Sequence, residues 1–318
     1  MSATQSLIDR FKTSVVPTYA RFPIAFSHGK GTRIWDLEGR EYLDFGSGIA
    51  VTSLGHAHPA MAKAIEEQAK KLVHTSNLYH TESQVALAET FISHIGAGKC
   101  FFCNSGAEAN EALFKLARKF GGASNYDKAN ITPKPLAKAD PDTNRFEILT
   151  TLNSFHGRTL AGIAATGQEK VKKGFEPAVT GFRHVPFNDL KAMQDAVSDQ
   201  TAAILIEGIQ GESGIQPASP EYLLGLRELC NKRNLLLLMD SIQCGMFRTG
   251  AFQSYQRILE GVKNIPPFLP DAISMAKGQS SLRGRNAGNG RFMTVQQARA
   301  RPNTSTVERV PNPGKGSS

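Results

Sequence analysis

Residues 235–243, LLLLMDSIQ, are followed some thirty residues later by residues 272–277, AISMAK, and together these two stretches decide how the chain is read. A continuous apolar run ending in an acid is the signature of a parallel strand buried on both faces, with its carboxylate at the carboxyl end where open α/β sheets place their ligands. The second run ends in a lysine, so two neighbouring strand ends would bring Asp240 and Lys277 to one place. That pairing suits pyridoxal phosphate: an aspartate keeps the pyridine nitrogen protonated, and a lysine amine holds the aldehyde as a Schiff base. The competing readings are an aspartate that caps the next turn and a lysine on the solvated surface.

Working outward, apolar strand patterns at 146–152 and 202–207 alternate with helical patterns at 162–175 and 220–232. This alternation predicts an α/β fold, a mostly parallel sheet flanked by helices. Upstream, 59–72 and 83–95 have helical spacing, and a strand is expected at 99–104. That strand runs directly into SGAEANEA at 105–112, a small-residue turn opening a helix. The free amides of a first helical turn, reached through Gly106 without an obstructing side chain, make a phosphate site, although a simple helix cap reads the same way. Residues 32–36 and 41–44 form a β-hairpin across Leu37, Glu38, Gly39 and Arg40, within an amino-terminal segment 1–60 that precedes a cofactor-binding domain at 61–277. Residues 121–145 lack an apolar period and read as a surface insertion.

Composition narrows the function classes. The 318 residues are 40% hydrophobic, enough for a sizeable core, and no stretch approaches a membrane span. The amino terminus has polar residues where a signal peptide needs an apolar core, so the cytoplasm is expected. Four cysteines, at 100, 103, 230 and 244, make no disulfide framework in a chain of this length. Cys100 and Cys103 stand three apart in an expected strand and so point to opposite faces, and no second CxxC completes a metal site; no metal is expected. Of the formal charge of +9, residues 278–318 carry +6, which leaves +3 on the first 277. That tail is polar and rich in Gly, Arg and Asn, and is expected to be disordered rather than a nucleic-acid surface.

The motifs SGAEANEA (105–112), SFHGRT (154–159), EGIQGESG (207–214), LLMDSIQCGMFRTG (237–250) and PDAISMAK (270–277) resemble, in order and spacing, the class III pyridoxal phosphate aminotransferases. Within that class GTRIWDLEGREYLDFGSGIAV and LGHAHPA look most like the acetylornithine aminotransferases, with ornithine and succinylornithine aminotransferases close by. The resemblance covers residues 15–277 apart from the insertion. It implies the fold type I large domain and a homodimer. It also implies transamination of N-acetylornithine with 2-oxoglutarate, in arginine biosynthesis.

The resemblance also assigns roles. Lys277 would hold the cofactor aldehyde and later move a proton between substrate Cα and the cofactor C4′. Asp240 would pair with the ring nitrogen. Phe155 and Ile242 would cover the two ring faces, with Gln243 at the phenolic oxygen. Ser105, Gly106 and Ala107 would hold the phosphate. Arg158 would clamp a substrate carboxylate, where a planar bidentate donor outperforms lysine. Glu207 would support the ring region, and Glu212 resembles the glutamate that pairs with an arginine or yields it to a dicarboxylate.

Three departures stand out. Ser241 replaces the glutamate of Asp-Glu-Val/Ile-Gln, and Phe247 stands where the family usually has glycine. Beyond Lys277 the family continues with a Gly-Gly-Gly-x-Pro-x-Gly-Ala loop, a Thr-bearing loop that reaches the phosphate in the partner subunit, the arginine opposite the position of Glu212, and a small domain. None is readable in 278–318, so a chain without the small domain is expected, with a catalytically inert remnant as the alternative to a working enzyme. Codons permitted for Arg283 to Arg291, read one nucleotide later, can spell Gly-Gly-Gly-Met-Pro-Ala-Met-Gly-Ala; sequencing the gene across codons 277 to 292 tests this expectation of out-of-frame translation.

Overall fold

The computed structural model describes residues 1–96, 98–122 and 145–275, which fall into two units, residues 1–80 and residues 81–275. The first unit opens with helix α1 (Ala3–Ser14), capped by the Ser2 hydroxyl. Strands β1 (Phe26–Lys30), β2 (Arg33–Asp36) and β3 (Glu41–Leu43) then form an antiparallel sheet in that order. The hairpin between β2 and β3 is the one expected. Its turn is organised by the buried Asp36 carboxylate, which accepts the amides of Glu38 and Arg40 at 3.0 and 2.8 Å and the Tyr42 hydroxyl at 2.9 Å. Gly39 takes φ +79° there, a conformation that a side chain would strain. The unit continues through the distorted turn α2 (Ser47–Ala50) to helix α3 (Pro59–Ala69), which starts with proline at its first position.

The second unit contains α4 (Glu82–Ile95), α5 (Gly106–Gly121), β4 (Glu147–Thr151), α6 (Leu160–Ala165), β5 (Phe182–Val185), α7 (Leu190–Ala196) and β6 (Thr201–Glu207). There follow the two-residue pair β7 (Ile209–Gln210) and β8 (Gln216–Pro217), then α8 (Pro220–Arg233), β9 (Leu236–Ser241), α9 (Ser254–Ile258) and β10 (Ala272–Met275). Five strands make a parallel sheet in the order β10-β9-β6-β4-β5. Every residue of β6 and β9 is buried, as expected of central parallel strands covered on both faces.

Side chains alternate strictly between two cores. Leu236 and Leu238 of β9, with Ala203 and Leu205 of β6, pack on Leu113, Phe114, Ala117 and Phe120 of α5. Leu237 and Met239, with Ile204 and Ile206, pack on the other face against Tyr222, Leu223 and Leu226 of α8 and Met193 of α7. Helix α8 is delimited by local chemistry: Ser219 accepts the Tyr222 amide, Pro220 follows, and Asn234 ends the helix at φ +50°.

Two expectations are corrected. Residues 99–104 form no strand. Being a strand requires a hydrogen-bonding neighbour, and β10, one edge of the sheet among the described residues, pairs there only with β9. The helix expected over 162–175 is confined to α6 and a separate 3-10 turn at Glu169–Val171. It ends at Thr166, which turns to extended backbone at ψ 128°, and Gly167 then packs directly on the 151–153 backbone. The tail at 278–318 and all but the ends of the insertion at 121–145 lie outside the described residues.

Candidate active site

Register places the chemistry. In the parallel pairing, Glu207 of β6 lies opposite Asp240 of β9, and Ser274 of β10 lies opposite Asp240 on the other side. Each stands two residues beyond a side chain that packs toward α5 (Leu205, Leu238 and Ala272), so all three project to the α5 face at the carboxyl ends of their strands.

Asp240 is 4% exposed. Its Oδ2 accepts Nδ2 of Asn110 at 2.7 Å and Nδ1 of His156 at 2.9 Å, while Oδ1 accepts the Ile242 amide at 3.0 Å. A ring nitrogen facing a carboxylate must carry its hydrogen, which fixes the role of Nδ1. No Lys or Arg pairs with Asp240 among the described residues. Glu207, also buried, accepts the Phe155 amide at 3.1 Å. Burial first, and then the neighbouring Asp240 charge, push its carboxyl well above the ordinary range, favouring the neutral form.

Ser105 is the N-cap of α5. Its hydroxyl accepts the Glu108 amide at 3.2 Å, and the Glu108 carboxylate accepts the Ser105 amide at 3.1 Å, a reciprocal capping box. The first-turn amides of Gly106 and Ala107 have no acceptor within the helix. Glycine is required at 106, because a Cβ there would stand 2.8 Å from Cγ2 of Ile242. The loop carrying Phe155 crosses the same helix end: Gly157, at φ +118°, comes close enough that a Cβ would lie 3.4 Å from that of Ala107.

The structure therefore brings Ser105, Gly106, Ala107, Phe155, Glu207, Asp240 and Ile242 together. Phe155 and Ile242 are half-buried, and the Arg158 guanidinium lies 5.6 Å from the centre of the Phe155 ring. Gln243 donates from Nε2 to the exposed Glu212 at 3.3 Å, and its buried Oε1 has no partner among the described residues. The hydroxyl of Ser241, the family's glutamate position, is also buried and has no partner among the described residues. Lys277 lies outside the described residues; β10 leads toward it.

Reading the sequence missed Asn110, His156 and Ser274. Asn110 carried a visible signal: it occupies the apolar stripe of α5 in register with Leu113, Phe114 and Ala117, and a polar side chain on such a stripe needs a buried partner. His156 sits inside SFHGRT, but nothing local announces that its ring turns inward.

These residues fit pyridoxal phosphate. A helix end kept bare by glycine suits the phosphate, and a buried carboxylate bonded only by neutral donors or histidine suits the ring nitrogen. A half-buried aromatic and an aliphatic side chain border the same space. A parallel sheet flanked by helices, with such a site at its strand ends, is the large-domain architecture of the fold type I aminotransferases. The family model "Aminotransferase class-III" matches residues 15–284, and the chain belongs to that family.

The acetylornithine aminotransferase of Caldanaerobacter subterraneus subsp. tengcongensis is 46% identical over 267 residues, which are 84% of this chain and 62% of that protein. The crystal structure of N-acetylornithine aminotransferase from Stenotrophomonas maltophilia matches with a TM-score of 0.64 at 34% identity, covering 85% of this chain and 61% of that one. Ornithine aminotransferase from Toxoplasma gondii matches with a TM-score of 0.71 at 30% identity, covering 81% and 58%. The chain thus spans about three-fifths of the length of the curated relatives it matches. Among the described residues no helix is long and apolar enough to cross a membrane.

Proposed function

We propose that the chain is a pyridoxal phosphate-dependent aminotransferase that takes the amino group of N-acetylornithine and delivers it to 2-oxoglutarate, giving N-acetylglutamate 5-semialdehyde and glutamate in arginine biosynthesis. The observation that carries this reading is Asp240, a buried carboxylate at a strand end, held by Asn110, His156 and a backbone amide and free of any Lys or Arg pair among the described residues. Such an ion is costly to bury unless a protonated ligand group completes its shell. When bound, the cofactor supplies an electron sink for the charge developing at the substrate Cα.

The side chains have separable tasks. Asp240 holds the ring nitrogen, and the α5 amino terminus with Ser105, Gly106 and Ala107 holds the phosphate. Phe155 and Ile242 cover the ring and exclude water, and Gln243 reaches the phenolic oxygen. Lys277 would anchor the cofactor aldehyde and would serve as the base that moves the substrate Cα proton. Arg158 grips a substrate carboxylate through its planar fork, and Glu212, steadied by Gln243, faces the other end of the substrate. Glu207, kept toward its neutral form, adds no second negative charge beside Asp240. Likeness to acetylornithine aminotransferases supports the donor, and the TM-score of 0.71 to an ornithine aminotransferase makes ornithine the second choice, with succinylornithine a further alternative. We read the enzyme as cytoplasmic; a homodimer is what the family resemblance implies.

The test is borohydride reduction of the purified chain in the presence of pyridoxal phosphate, followed by mass spectrometry of its peptides. A single pyridoxyl group on Lys277, displaced by N-acetylornithine, is expected. Absence of the group, or scattered labelling of other lysines, would refute the reading and leave an inert member of the family.

A further inference from the structure

Asn110 lies four residues after Gly106, one turn into α5, so the helix that offers its first amides to the phosphate also carries the side chain that grips Asp240. Asn110 is 2% exposed. Its amide orientation follows from its surroundings. Nδ2 faces two acceptors, Asp240 Oδ2 at 2.7 Å and the His156 carbonyl at 3.0 Å, whereas Oδ1 faces the Ser274 hydroxyl at 2.7 Å. Turned over, its oxygen would confront both acceptors.

Ser274 also lies 3.4 Å from Asp240 Oδ1, but a hydroxyl has one proton, and the nearer Asn110 oxygen takes it. Among the described residues Oδ2 of Asp240 therefore accepts two hydrogen bonds and Oδ1 one, from the Ile242 amide. The carboxylate is left with its acceptor capacity on Oδ1.

We infer that Asn110 is a positioning residue that locks Asp240 with Oδ1 turned to the cofactor ring nitrogen, and that its bond to Ser274 ties this orientation to the strand leading to Lys277. The inference rests on the reading that the chain binds pyridoxal phosphate. One amide thereby sets three distances at once: from the phosphate end of α5 to the ring acceptor, from the ring acceptor to β10, and from α5 to the loop of Phe155 through the His156 carbonyl. A rigid first shell of this kind lets the ring nitrogen find its acceptor without reorganisation.

The experiment uses the full chain and two probes without an aldehyde, so that binding does not depend on Lys277. These are 4′-deoxypyridoxine 5′-phosphate and its 1-deaza analogue, with CH in place of the ring nitrogen. Dissociation constants are measured by equilibrium dialysis. The wild type is expected to prefer the nitrogen-bearing probe. Asn110→Ala should shrink that preference by about tenfold, the size of one charge-assisted hydrogen bond, while leaving affinity for the deaza probe nearly unchanged.

Ser274→Ala, which removes one bond and opens little space, should move the preference the same way by a smaller factor, and it decides the matter if Asn110→Ala does not fold. Equal weakening of both probes, or an unaltered preference in the folded variants, would overturn the inference, because a merely structural asparagine would not distinguish N from CH. A wild type that shows no preference would instead refute the pairing of Asp240 with the ring nitrogen, and the role of Asn110 with it.

Discussion

Replacing Phe247 with glycine, the residue usual at this position in the family, sets two effects of opposite sign against each other. Phe247 has φ +64° and follows Met246 at φ +55°, so two consecutive side chains occupy left-handed backbone. Holding a side chain there costs roughly 1–2 kcal/mol. Against this, the Phe247 ring meets His94 edge-on at 5.1 Å and Phe252 at 5.3 Å, and His94 stacks on Phe252 at 4.7 Å. Two aromatic pairs at about 0.5–1.5 kcal/mol each, with about 1 kcal/mol for a half-buried ring, come to roughly 2–4 kcal/mol. Packing wins, and Phe247→Gly should be less stable than wild type by about 1–2 kcal/mol. Phe247→Ala loses the same packing and keeps the backbone cost, so it should fall below the glycine variant by about 1 kcal/mol. Urea titration of the three proteins gives the order. An alanine variant as stable as the glycine variant would show that the left-handed backbone carries no cost, and a glycine variant more stable than wild type would show that the aromatic cluster contributes less than the strain.

Glu207→Gln should alter the pH dependence of stability. A carboxyl whose folded value is raised binds its proton more tightly in the native state, so the contribution of Glu207 to stability is fully present below the ordinary value of 4.5 and is lost as pH rises through the raised value. The glutamine variant should lack that loss in thermal melts taken from acid toward neutrality, and parallel curves for the two proteins would refute the assignment. Gly167→Ala should cost about 3 kcal/mol or more, since its Cβ would stand 2.1 Å from the Thr151 carbonyl oxygen and within 3 Å of the next two residues' backbone, none of which can swing aside. A urea midpoint near wild type would contradict it. Cys244, buried and pushed up to about 11, should resist iodoacetamide at mildly alkaline pH while the half-exposed Cys103 reacts, as peptide mass spectrometry would show; equal labelling would deny the burial.

What the sequence could disclose divides along the range of the interactions. The strands β6 and β9 were legible because burial on both faces demands an unbroken apolar run, and α8 because its Ser-Pro start and Asn stop are local. The 99–104 segment has the same apolar character, yet a strand is a relation between two segments, and no local pattern reports a missing neighbour. Strand β1, FSHGK, was missed for the converse reason: it pairs with β2 while leaving most of its side chains exposed, so it shows no apolar alternation. In the site, Ser105, Gly106 and Asp240 were readable from strand-end and helix-start chemistry. Asn110 meets Asp240 across 130 residues of sequence, and His156 meets it across 84, so their roles appear only when the sheet is assembled.

That assembly explains why the site is so economical in charged residues. The hydrophobic alternation that seats β9 between two cores also fixes the face on which Asp240 emerges, because sliding the strand by one residue would send every side chain to the opposite layer. The apolar residues of 236–239 thus hold the register, and Asp240 takes its direction from them with no Lys or Arg pair among the described residues. The same logic holds on β6 and β10, so Glu207 and Ser274 arrive beside Asp240 through the parallel pairing itself. Once two carboxyls are forced into one buried row, hydrogen-bond donors must satisfy the ionised one and burial must discourage the other from ionising. Asn110 and His156 do the first, and the desolvation of Glu207 does the second. The asymmetry between two adjacent acids therefore follows from the sheet, and a single negative charge is left facing the place where a protonated ring nitrogen would sit.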